Sequence, residues 1–171
     1  MAIGELRSLR TLLGRPADAV AEVGVYTGSN ALRLRAEFPG AELYLIDPWC
    51  PHVLVRAYAI DNTPEKWARV EALCRRRFAR DMRAHLLKLP SHQALVQFRN
   101  HSLDIVLLDA GREYSLLMGY ICDWRPKIKP GGLIAGKGLA GKMRGDVWLV
   151  MQDKFGGKFA RVDRTTWAVK V

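Results

Sequence analysis

Short apolar runs alternate with longer stretches of helical period along nearly the whole chain, and this alternation limits the fold more than any other feature. Returning to a parallel neighbour takes a crossover of a dozen or more residues, so such alternation builds a mostly parallel sheet clad in helices. The strongest run, residues 103–109, reads Leu-Asp-Ile-Val-Leu-Leu-Asp. A strand covered on both faces looks like this, apolar almost without interruption. Further strands are expected at residues 19–24, 42–47, 133–136 and, weakly, 85–89. Helices are expected over residues 6–13, 29–38, 91–98, 114–124 and 146–155, the second stopped by Pro39-Gly40. Lys129-Pro130-Gly131-Gly132 reads as a turn, and residues 48–63, with Trp49, His52 and Tyr58, as a loop with some local structure. The last strands, at 159–162 and 166–171, share a tight Asp163-Arg164 connection and must be antiparallel. The expected fold class is α/β: a doubly wound sheet, mostly parallel with an antiparallel C-terminal strand and helices on both faces. One domain is expected over residues 1–171, with a short leading helix within 1–18.

One more helix is expected from Pro64 to about Arg83, with proline in its first turn. Trp67, Val70, Cys74, Phe78 and Met82 share one face by 3.6-residue spacing, and Arg69, Arg76, Arg80 and Arg83 fall opposite. That basic face reads first as solvated surface and second as a footprint for RNA, without aromatic residues to stack bases. The net charge of +10, from 27 basic and 17 acidic residues, fits either reading or an anionic substrate.

Composition closes several other routes. No apolar run approaches the ~20 residues of a membrane span, and the opening Met-Ala-Ile-Gly-Glu-Leu-Arg lacks a signal peptide's apolar core, so a cytoplasmic chain is expected. Cys50, Cys74 and Cys122 form no Cys-x-x-Cys pair, and His52, His85, His92 and His101 show no metal-binding spacing.

Three signals carry chemistry. Glu22-Val23-Gly24-Val25-Tyr26-Thr27-Gly28-Ser29 lies where a strand meets a helix, and its glycines allow close backbone approach to a ligand. A dinucleotide fingerprint would need glycine at Tyr26 and Ser29, so that motif is absent. Asp47 ends the second strand, where a carboxylate can accept hydrogen bonds from a ribose diol; a turn aspartate before Pro48 is the alternative. Asp109 ends the strong strand and opens onto the same crevice, with a loop cap as its alternative.

Taken with Leu45-Ile46-Asp47-Pro48-Trp49, with residues 102–110 and with Trp124-Arg125-Pro126-Lys127-Ile128-Lys129-Pro130-Gly131-Gly132, these segments resemble the class I S-adenosylmethionine-dependent methyltransferases. Within that Rossmann-like class the likeness is nearest to the small-molecule O-methyltransferases of the macrolide and cephalosporin biosynthesis type, over residues 19–171. The resemblance implies S-adenosylmethionine as cofactor, bound by Glu22, Gly24, Tyr26, Thr27, Gly28, Asp47, Pro48, Ser91 and Asp109. Asp47 would hold the ribose, Ser91 would lie near the adenine, and Asp109 would sit below the methionine end or reaction centre.

The pattern breaks at two places. Arg112 stands where many relatives have a histidine. Gly136-Lys137-Gly138 stands where the metal-dependent ones carry acids that hold magnesium together with the earlier aspartate. An ammonium near Asp109 would neutralise it and repel a divalent ion, so no metal is expected. Asp109, Arg112 and Lys137 are the catalytic candidates, with the base unassigned because a nearby carboxylate would hold Lys137 protonated. The expected function is metal-independent methyl transfer to a small-molecule, anionic or large acceptor, in an open site or one completed in a homo-oligomer. The alternatives are a cofactor binder without catalysis, and an RNA-binding or RNA-modifying protein.

Overall fold

A computed structural model describes residues 7–51, 62–141 and 144–171. The sequence-level loop over 48–63 falls mostly outside these residues, His52 and Tyr58 included. The elements run α1 (Arg7–Leu13), β1 (Ala19–Val23), α2 (Ser29–Glu37), β2 (Glu42–Ile46), α3 (Pro64–Phe78), β3 (Ala84–Leu87), α4 (Ser91–Ala94), β4 (Leu103–Leu108), α5 (Tyr114–Trp124), β5 (Ile128–Lys137), α6 (Arg144–Phe155), β6 (Ala160–Arg161) and β7 (Thr166–Lys170). They form one seven-stranded sheet in the order β3-β2-β1-β4-β5-β7-β6. Pairings are parallel from β3 through β5, and β7 runs antiparallel to both neighbours. The order reverses between β1 and β4, the position at which open α/β sheets leave a crevice at the strands' carboxyl ends.

Side chains of successive strand residues project to opposite faces, and each face has its own core. Val20, Leu43, Leu45, Ile105, Leu107, Leu133 and Ala135 pack with α1, α2 and α3 through Leu9, Leu34, Trp67 and Phe78. Ala21, Val23, Val106, Leu108 and Ile134 pack with α5 and α6 through Leu117, Trp124, Val147 and Met151. Glu22 and Lys137 are in register with the first set, and Asp47 and Asp109 continue its alternation by one step past their strands. Among the described residues no helix is long and apolar enough to cross a membrane.

Three boundaries differ from the sequence reading. The helix expected to reach Arg83 ends at Phe78, and Met82, assigned to its apolar face, is 90% exposed. Asp81 causes this: its Oδ1 accepts from Arg83 N at 3.0 Å, a local turn that competes with the helix and feeds β3. Arg80 and Arg83 therefore leave α3, and Arg83 pairs with Glu42. The expected turn at Lys129-Pro130-Gly131-Gly132 is the first half of β5, where the register with β4 shifts; Gly131 at φ 75° absorbs that irregularity. The helix expected over 91–98 is one α-turn followed by a 3₁₀ turn, Leu95–Gln97.

Near the amino end of the central strand β4, away from that crevice, Asp104 is fully buried. It accepts from Arg15 Nη1, from the Asp18 and Ala19 amides at 2.8 and 3.0 Å, and from Lys129 Nζ at 3.0 Å. Burial pushes its pKa up, but the Ala19 amide, Arg15, Lys129 and the Asp18 amide outweigh burial and leave it below the usual value. A depressed folded pKa gives stability present above the unfolded value of about 3.9 and lost as pH falls through the folded one. The urea midpoint is therefore expected to drop as pH falls below about 4, and to drop less in Asp104→Asn.

Candidate active site

The bend after β1 is set by backbone constraints. Gly24 has φ 87°, and a Cβ there would lie 2.6 Å from Ala110 N and 2.7 Å from Asp109 O. The end of β1 thus lies directly against the end of β4, with Asp109 N donating to Val23 O at 2.8 Å. Gly28, at φ 82°, caps α2, where a Cβ would press on Phe78 and Cys74 at 3.0 and 3.1 Å. Thr27 Oγ1 lies 3.2 Å from Ser29 Oγ, and Arg77 Nη1 donates to Thr27 O at 2.7 Å.

Asp47 holds this bend closed. Its Oδ2 accepts from Val25 N and Tyr26 N, each at 2.9 Å, and its Oδ1 from Trp49 N at 2.8 Å. Trp49, just beyond Pro48, is buried at φ 40° and donates through Nε1 to Tyr26 O at 2.8 Å. Tyr26 itself has φ 53° and sets its ring edge-on to Trp67. Two non-glycine residues in the left-handed region mark stored strain, held here by Asp47 and Trp49.

Across β1 and β4, Asp109 Oδ2 accepts from Asn30 Nδ2 at 2.7 Å, and its Oδ1 from Arg112 Nη2 at 2.6 Å. Burial raises the Asp109 pKa, against the pull of Arg112, Lys137 and Asn30. The sequence reading set Lys137 beside Asp109 as its neutralising cation. The direct partner is instead Arg112, three residues on, where the loop after β4 turns the guanidinium back. Lys137, paired with Thr166 across β5 and β7, lies 3.6 Å from Asp163 Oδ2 and donates to Thr165 Oγ1 at 3.4 Å. Tyr114, at the start of α5, donates to Asp153 Oδ2 at 2.7 Å.

Glu22 is fully buried, and neither carboxylate oxygen has a hydrogen-bond partner among the described residues. Burial raises its pKa well above the usual value; Asp109 and Asp47 add to the rise, and Asn30 and Lys137 oppose it. A carboxyl raised in the folded state destabilises the fold progressively as pH rises from the unfolded value of about 4.3 through the folded one. Glu22→Gln is therefore expected to melt higher than the wild type at pH 8, with the gap narrowing at pH 5. Equal melting temperatures at pH 8 would rule out a strained carboxylate at this position.

Ser91 lies at the start of α4, its Oγ accepting from Trp124 Nε1 at 2.9 Å. It therefore faces α5, while Glu22, Gly24, Asp47 and Asp109 gather around the β1–α2 bend. Sequence reasoning missed Asn30, which α2's first turn carries to Asp109, and Asp163, which gathers Lys137, Thr165 and Thr166. A polar residue in the first turn of the helix after a glycine bend was the available signal for Asn30. Asp163 was legible only as part of the tight connection between the last strands, not as the partner of Lys137.

The strand order, the glycine bend at the switch point and the acids behind it define a doubly wound domain with a crevice at the carboxyl ends of its central strands. The chain belongs to the methyltransferase domain family, whose pattern matches residues 21–137. A comparison with curated proteins gives no match. Among solved structures, the O-methyltransferase NovP superposes with a TM-score of 0.67 at 18% identity, covering 98% of this chain and 77% of NovP. Cofactor-bound Rv0187 from MTB gives 0.64 at 18% identity, covering 100% and 81%. The 1,6-didemethyltoxoflavin-N1-methyltransferase of Burkholderia thailandensis, solved with bound 1,6-didemethyltoxoflavin and S-adenosylhomocysteine, gives 0.59 at 13% identity, covering 97% and 76%. At these identities the likeness speaks for the fold, which is the α/β architecture expected from the sequence.

Proposed function

We propose that the chain transfers a methyl group from S-adenosylmethionine to an acceptor without a metal ion, as a relative of the small-molecule O-methyltransferases. The orphaned carboxylate of Glu22 carries this reading. A buried carboxyl without a partner is costly and resists ionisation, and a ligand with an ammonium and a sulfonium supplies the positive charge that its ionised form lacks. When bound, the cofactor would supply an electrophilic methyl group for transfer to the acceptor.

The chain's residues position rather than react. Gly24 lets the backbone approach the ligand, and Asp47 and Trp49 hold Val25 and Tyr26 so that the bend is formed before the ligand arrives. Ribose contact at Asp47 and Pro48, and adenine contact near Ser91, complete the cofactor set. Arg112 on Asp109 takes the place that a divalent cation would need, which supports the metal-independent reading. Both Asp109 oxygens already accept hydrogen bonds, and that observation favours a second reading, a cofactor binder with little or no catalysis.

Calorimetry with S-adenosylmethionine tests the pocket. Asp47→Asn replaces an acceptor with a donor facing backbone N–H groups, and is expected to weaken binding by roughly 10- to 100-fold. Unchanged affinity would mean that the pocket lies elsewhere. Turnover with candidate acceptors then separates enzyme from binder.

A further inference from the structure

Resting on that reading, we propose that Arg112 recognises the acceptor, and that the acceptor carries an anionic oxygen group of the carboxylate kind near the atom that receives the methyl. Two cations flank Asp109, and the structure treats them differently. The Lys137 side chain is 8% exposed and occupied by Asp163 and Thr165. The Arg112 side chain is 36% exposed, spends only Nη2 on Asp109, and has a buried Nε without a partner among the described residues. An arginine serving only as Asp109's counter-ion leaves the exposed part of its guanidinium without an anion.

The stem of Arg112 is seated between two loops at the carboxyl edge of the sheet. A Cβ on Gly138, which has φ 113°, would meet Arg112 Cδ at 3.1 Å, and Arg112 N donates to Glu113 Oε2 at 3.0 Å. The guanidinium is thus held by the loops that follow β4 and β5. Its planar fork of donors matches a carboxylate's two oxygens, and such charge-assisted bonds are about twice as strong as neutral ones. A neutral acceptor brings the guanidinium no countercharge, so the site selects against it.

The test uses protein saturated with S-adenosylhomocysteine and titrated with benzoate or its neutral counterpart benzamide, following the amides of residues 109–113 and Gly138 by NMR. Benzoate is expected to bind roughly tenfold tighter or more. Arg112→Met is expected to abolish that preference and Arg112→Lys to restore part of it. The double variant Asp109→Asn/Arg112→Met, which leaves no uncompensated buried charge, is expected to behave like Arg112→Met and covers the case in which the single variant fails to fold. Equal binding of benzoate and benzamide by the wild type, or a preference that survives in either methionine variant, overturns the proposal. A wild type that binds no S-adenosylhomocysteine overturns the methyl-transfer reading beneath it, and the proposal falls with that reading.

Discussion

Asp104→Ala is expected to lower the folding free energy by about 3–5 kcal/mol, a large share of what holds a domain of this size together. The carboxylate joins the chain leading into β1 to the start of β5, accepting from the amides of Asp18 and Ala19, from Arg15 and from Lys129. Alanine leaves two backbone N–H groups without an acceptor and places two cations beside each other without their shared anion. Lys129 also reaches Asp18 at 2.9 Å, so part of the network survives. Asp104→Asn keeps the shape and some acceptors and is expected to lose about half as much. Urea unfolding of the three proteins measures this, and a loss under about 1 kcal/mol for alanine would reduce the network to the value of an ordinary surface pair.

Gly24→Val is expected to abolish cofactor binding, with affinity falling more than about 100-fold, and to cost roughly 2–4 kcal/mol of stability. A branched side chain at φ 87° is strained in itself, and here its first carbon would sit 2.6 Å from Ala110 N. Neither backbone can yield without parting β1 from β4 or moving Asp109. Gly40, where a Cβ meets nothing within 4 Å, is the control: Gly40→Ala is expected to change neither binding nor stability measurably. Full cofactor affinity in Gly24→Val would show that the bend can be rebuilt and does not define the site.

Much of this was legible along the chain because a buried parallel sheet announces itself. Residues 103–109 and 42–47 could hardly be anything but covered strands, and the Asp163-Arg164 connection forced the last pairing to be antiparallel. The misplaced boundaries lie where a local side chain or a tertiary contact overrides the period. Asp81 turns the chain out of α3 although apolar spacing continues to Met82, and Gly131 carries β5 through an irregularity that reads as a turn. At the site, residue types and positions were visible but their partners were not. Asp47 is as much a clamp on the bend as a candidate ribose ligand, and Arg112 rather than Lys137 pairs with Asp109. Which of two nearby cations reaches a carboxylate depends on loop geometry, and spacing along a strand does not encode it.

A crystal of the protein soaked with S-adenosylhomocysteine tests the central claim most directly. The ligand is expected in the crevice between β1 and β4, its amino group at Glu22, its backbone-facing edge along Gly24 and its ribose toward Asp47. Density for the ligand anywhere else, or a Glu22 carboxylate still without a partner beside a bound ligand, would contradict the account.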